Sequence, residues 1–270
     1  MAPGLLLAGR AGGRGAAPRA PSAAFPGPRA LAPSALGGRS PGGAMVLPPP
    51  ATSSRVRVAL GGSRVWPASG PASSLPGAVA LALARSGPLA VGCCVGACAS
   101  ALSAVVVLGS VRRLCVVAAF GPGGAGSCSL SAVGPVAAAV RAGASVAWWA
   151  GGGPAVPLSA RLARRAAVLG ASGAGGLVAF VAVSGSRGLA LELAAAARAD
   201  APAALAFCLP AATPPAAPRG WVWSPASPAL VAALAPALSP AMGVPLPAGV
   251  RALMCAPVAV AMPLFSPRNL

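Results

Sequence analysis

Glu192 and Asp200 are the only acidic residues in a 270-residue chain that also lacks Lys, His, Tyr, Gln and Ile and has a single Asn, Asn269. Each absence excludes a chemistry. Without His there is no imidazole to activate a serine or cysteine nucleophile, and no histidine to ligate zinc. The two acids stand eight residues apart, about 12 Å along a helix axis, which excludes a pair of carboxylates flanking one bond. No enzyme activity, cofactor site or metal site is expected. The 20 arginines leave a net charge of +18, so compaction brings like charges together. Charged residues make up only 8% of the chain, against roughly a quarter in soluble domains. With aromatics at 4% and no Ile, large packing residues are scarce. These absences predict a mostly disordered chain with a poorly specified apolar α-helical middle that could include transmembrane helices. No soluble globular fold is expected.

The missing residues share a coding property. Tyr, His, Gln, Asn, Lys, Asp and Glu all have adenine at the middle codon position, and together they occur three times here. Ile and Lys, whose codons begin with adenine, are absent, and Thr occurs only at Thr52 and Thr213. A GC-rich, adenine-poor open reading frame explains all of these at once. The first functional expectation is therefore a product of such a frame with no assignable biochemical function.

What is present falls into three stretches. Residues 1–76 carry 13 prolines and eight arginines and read as a disordered Pro/Gly/Arg-rich tail, too poor in apolar surface to offset its ordering entropy. Residues 77–200 form an apolar helical region that could enter a membrane. Residues 201–270 carry 14 prolines and read as a Pro-rich low-complexity tail. The clearest helical runs are "SARLARRAAVL" and "LALELAAAARA", with Asp200 and Pro202 ending the second.

The second expectation is a small integral membrane protein with one to three spans, hence a membrane localisation and a lipid bilayer as partner. Between Arg85 and Arg112 lie 26 uncharged residues, and about 20 suffice for a span. Gly87–Val111 is the best candidate: three Leu and six Val from Leu89 onward contribute roughly −3 to −5 kcal/mol to insertion. Gly92, Gly96, Ser100 and Ala104 recur every four residues, a smooth face of the kind that lets helices approach closely. Ala166–Ser186 is a second candidate. Just upstream, Arg161, Arg164 and Arg165 share a helix face suited to lipid headgroups.

A third expectation, nucleotide binding at residues 166–192, comes from "AAVLGASGAGG". Here a short apolar segment, Ala166–Leu169, leads into Gly170, Gly173 and Gly176. This run resembles the glycine-rich turn of the nicotinamide-dependent dehydrogenases. The resemblance implies that backbone amides approach a pyrophosphate, that Glu192 holds the ribose and that Arg187 faces a 2′-phosphate. It covers about a tenth of the chain and stops there, since Gly188 follows too soon for a full crossover helix and the family's His is missing.

The seven cysteines, Cys93, Cys94, Cys98, Cys115, Cys128, Cys208 and Cys255, are odd in number, which argues against a closed disulfide framework. They read as buried thiols. The excess Arg predicts salt-sensitive, non-specific attraction to nucleic acid or other anionic surfaces, with no specific partner.

Overall fold

The computed structural model describes residues 57–127 and 129–261. Within them the chain alternates strands and helices: β1 (Val58–Gly62), α1 (Leu75–Ser86), β2 (Leu89–Gly92), α2 (Ala97–Val107), β3 (Leu114–Val117), α3 (Leu130–Arg141), β4 (Ser145–Ala147), α4 (Leu158–Ala171), β5 (Leu177–Val181), α5 (Arg187–Arg198) and β6 (Ala204–Cys208). Then follow β7 (Trp221–Pro225), α6 (Pro228–Leu234), α7 (Ser239–Met242), β8 (Arg251–Pro257) and α8 (Val258–Ala261). The strands form one sheet in the order β4-β3-β2-β1-β5-β6-β8-β7. The first six run parallel, and β8 is antiparallel to both β6 and β7.

Alternation along the strands fills two cores. Val58, Leu60, Val178, Phe180, Leu205 and Phe207 point to one face, where α1, α2 and α3 bury Leu75, Val79, Leu83, Leu102, Val105 and Val136. Ala59, Ala90, Leu177 and Ala204 point to the other, against Leu169 of α4 and Leu193 of α5. Ala179, Val181 and Ala206 continue that second face against Leu189. The first core holds the buried aromatics: Phe180 stacks on Phe207 at 5.5 Å, and Trp66 meets Phe180 edge-on at 5.3 Å. Trp221 and Trp223 pack, partly buried, against the second. The second is lined by alanines, so its helices lie close to the sheet and to each other.

This architecture overturns the expectation of a mostly disordered chain with a poorly specified helical middle. A folded α/β domain replaces it. β1 lies inside the stretch read as a disordered tail, and β6, β7 and β8 lie inside the stretch read as low complexity. Residues 1–56 of the first tail lie outside the described residues. The physical reason is that a parallel sheet covered on both faces needs apolar runs without polar alternation. Small side chains then act as spacers between closely packed layers.

The membrane reading is overturned too. No helix among the described residues is long and apolar enough to cross a membrane. Gly87–Val111 is divided into β2, a turn and α2. The chain reverses at Gly96, where φ is +72° and a Cβ would collide with the backbone of Arg64. Ser100 and Ala104 of the four-residue repeat face α1 of the same chain: a Cβ on Gly77 would come within 2.8 Å of that of Ala104. Ala166–Ser186 is likewise divided, between the end of α4 and β5. Arg161 and Arg165, read as facing headgroups, are buried, and Arg164 alone of the three is exposed.

Candidate functional site

The strand order reverses at β1. From β1 the chain winds outward through β2, β3 and β4, then returns through α4 to place β5 on the other side of β1. At such a point the loops leaving the two central strands diverge and leave a crevice beyond their carboxyl ends. A cavity of about 730 Å³ occupies that position. The end of β1 and the loop after it (Gly62, Ser63, Arg64, Val65) and the loop after β5 with the start of α5 (Val183 to Leu189) line it, together with Cys94 after β2 and Ser159, Ala160, Leu162, Ala163 and Arg165 of α4.

Each loop is anchored. The Ser63 amide donates to the Phe180 carbonyl at 2.7 Å, and its hydroxyl accepts from the Ala182 amide at 2.9 Å, so the ends of β1 and β5 are tied together. Ser184 accepts from both the amide and the hydroxyl of Thr213. Gly185, with φ +73°, turns the chain into α5, and Ser186 caps that helix by accepting from the Leu189 amide. The first amides of α5, those of Arg187 and Gly188, have no carbonyl one turn earlier to bond. They sit beside the cavity with the positive end of the helix dipole.

Beneath the cavity lies a buried charged cluster. Arg165 Nη1 donates to Glu192 Oε1 at 3.3 Å, the one ion pair among the described residues, and Arg165 Nη2 donates to Cys94 Sγ at 2.9 Å. Three glycines make the room. A Cβ on Gly61 would collide with Glu192 Oε2, one on Gly92 would stand 2.5 Å from Arg165 Nη1, and one on Gly170 would collide with the carbonyl oxygen of Glu192. One buried cation serves two acids. The Cys93 thiol, hydrogen-bonded to Cys94, pulls the Cys94 thiol well below its ordinary value. Arg165 and Arg64 add to this against the opposing effect of burial. Cys93 moves up in turn, through the same hydrogen bond and through burial. Burial pushes the Glu192 carboxyl up to about 7, against the pull of Arg165. Arg165 Nε and Glu192 Oε2 have no hydrogen-bond partner, although both side chains line the cavity.

The glycine motif lies elsewhere. Ala166–Leu169 lies in the second half of α4 and is not a strand, Gly170 is helical and packs on α5, and Gly173 and Gly176 form the turn into β5. The order is therefore helix, turn, strand, the reverse of a dinucleotide loop, and it stands at the amino end of β5. Glu192 is paired with Arg165. Arg187 does face the cavity, from the start of α5. The stretch missed in the sequence is "VALGGSR", an apolar strand running into two glycines and a serine. Cys94 and Arg165 carry no local signal, because the fold brings them together across 71 residues.

No family model matches the chain, and searches of curated proteins and of solved structures returned no match.

Proposed function

We propose that this domain binds a phosphorylated small molecule of the nucleotide class in the crevice between the β1–α1 and β5–α5 loops. The observation that carries the reading is the cavity at the strand-order reversal, where open α/β sheets generally take their ligands. Its chemistry supports an anion. Arg64 and Arg187 stand exposed on its rim, the Arg187 and Gly188 amides open α5 beside it, and its one acid, Glu192, is buried against Arg165. A phosphate at the start of α5 would gain both the free amides and the helix dipole. The loops after β2 and β3 carry no acid to hold a ribose hydroxyl, which favours recognition through phosphate. The reading keeps the ligand class suggested by the glycine motif and moves the site to the other end of β5.

Thermal unfolding in the presence of pyrophosphate, AMP and ADP tests it. At 100 times its Kd a ligand stabilises by about 2.7 kcal/mol, and Arg187→Ala is expected to remove most of that gain. No stabilisation by any of the three would overturn the proposal. So would an equal gain in the Arg187→Ala variant, since that would mark diffuse attraction to the chain's net positive charge.

A further inference from the structure

The inner wall of the same cavity carries a sulfur in an unusual setting. Cys94 lies just past β2 and reaches the cavity. Its Sγ accepts from Arg165 Nη2 at 2.9 Å, the Arg64 guanidinium lies beside it, and the Cys93 thiol is hydrogen-bonded to it. A sulfur that accepts from a buried arginine favours its anionic form, and the anion is the reactive form of cysteine. Two further polar atoms next to it, Arg165 Nε and Glu192 Oε2, are buried without a partner. Both atoms are shielded from solvent, within side chains that line the cavity. Cys98, Cys208 and Cys255, by contrast, are pushed upward by burial.

We propose that Cys94 is a covalent attachment site for small carbon electrophiles that carry a carboxylate, which Arg64 orients at the cavity mouth. The step is a displacement. The Cys94 sulfur supplies an electron pair to the electrophilic carbon, the S–C bond forms as the bond to the leaving group breaks, and the leaving group departs with its electron pair. No proton, oxidant or reductant is needed. The inference goes beyond phosphate binding and does not depend on it, since an electrophile of two carbons needs neither α5 nor its loop.

The test uses the full chain with iodoacetate and iodoacetamide, each below one equivalent, and locates the label by peptide mass spectrometry. N-acetylcysteine in solution is the reference. Cys94 is expected to be labelled first, with a preference for iodoacetate over iodoacetamide about tenfold greater than that of the reference. The groups facing Cys94 are Cys93, Arg64 of the β1–α1 loop, Cys98 of α2, Arg165 of α4 and Glu192 of α5. Because the Cys93 thiol, Arg165 and Arg64 all favour the ionised sulfur, its rate is expected to change less than threefold between pH 8.5 and 6.5. A free thiol with a pKa of about 8.5 slows about 50-fold over that range. Arg64→Gln, a change at an exposed position, is expected to lower the iodoacetate rate more than the iodoacetamide rate and so to reduce the preference. Labelling of Cys94 only after unfolding in urea would overturn the proposal, as would a charge preference and pH profile equal to those of N-acetylcysteine.

Discussion

Replacing Gly170 with alanine should destabilise the protein, although the same change in an ordinary helix stabilises it by about 1 kcal/mol. Gly170 lies within α4, where an added Cβ would collide with the carbonyl oxygen of Glu192 and stand 3.1 Å from the Cβ of Ala195. The obstacle is backbone, so no side-chain rotation relieves it, and α4 and α5 must separate. Overpacking costs about 1–3 kcal/mol when side chains can adjust, and a backbone collision belongs at the upper end. Setting about 3 kcal/mol of strain against about 1 of propensity leaves a net loss of about 2 kcal/mol. For a domain of this size that is a fall of about 4–8 °C in Tm. Gly188→Ala is the control. It is exposed in the first turn of α5, with nothing within 4 Å of the added Cβ, and should gain up to about 1 kcal/mol. Urea unfolding followed by tryptophan fluorescence measures both, with m unchanged. A Gly170→Ala variant as stable as its parent would refute the close α4–α5 packing on which the buried cluster depends.

The cluster makes further predictions. Arg165→Met should cost about 3–5 kcal/mol, because it leaves Glu192 and the Cys94 sulfur buried without their cation. Adding Glu192→Gln should recover part of that loss in urea titrations, whereas additive losses would show that the pair is not coupled. Glu192 holds its proton to about 7 in the folded state, against 4.5 unfolded. Its contribution to stability is therefore complete below 4.5 and is lost as pH rises to 7. Cys94 acts in the opposite sense, since its depressed value contributes stability at high pH that is lost as pH falls below the ordinary thiol value of 9.0. Stability profiles of Cys94→Ser should therefore show the Glu192 fall between pH 4.5 and 7 unopposed, and Glu192→Gln should abolish it. Arg161→Met should cost about 2–4 kcal/mol. Arg161 donates at 2.9 Å each to the carbonyls of Val156, Ala119 and Gly126 and stacks on Trp149. Thermal unfolding of the variant measures the loss.

Parts of this fold were legible in the residues. The run "SARLARRAAVL" lies within α4 and "LALELAAAARA" covers all but the first two residues of α5, which ends at Arg198 just before Asp200 adopts a positive φ. Those runs carry arginines on an apolar background, and charge is what marks a helix face. The strands carried no such mark. β2, β5 and β6 are buried along their whole length, so polar alternation never develops and Leu89–Gly92 reads as the start of a span. α2 has no charged residue at all, and it leaves Val107 80% exposed. The binary pattern that distinguishes inside from outside was therefore missing on both sides of the comparison.

The candidate site was less legible still. In the sequence, Arg187 and Glu192 stand out only beside a glycine turn that lies at the other end of β5. Cys94 reads there as one buried thiol among seven.

The residues by themselves determined the chemistry available: a surplus of arginine, almost no acid, no imidazole, and small side chains that allow layers to approach closely. Tertiary structure alone decided where that chemistry is used. Winding outward from β1 and then back through α4 carries Arg165 and Glu192 to Cys94, beneath a crevice that forms where the strand order reverses. No local stretch encodes that meeting, because the ion pair and the thiol come from three separate elements, and glycines at the ends of two strands leave the space in which they pack.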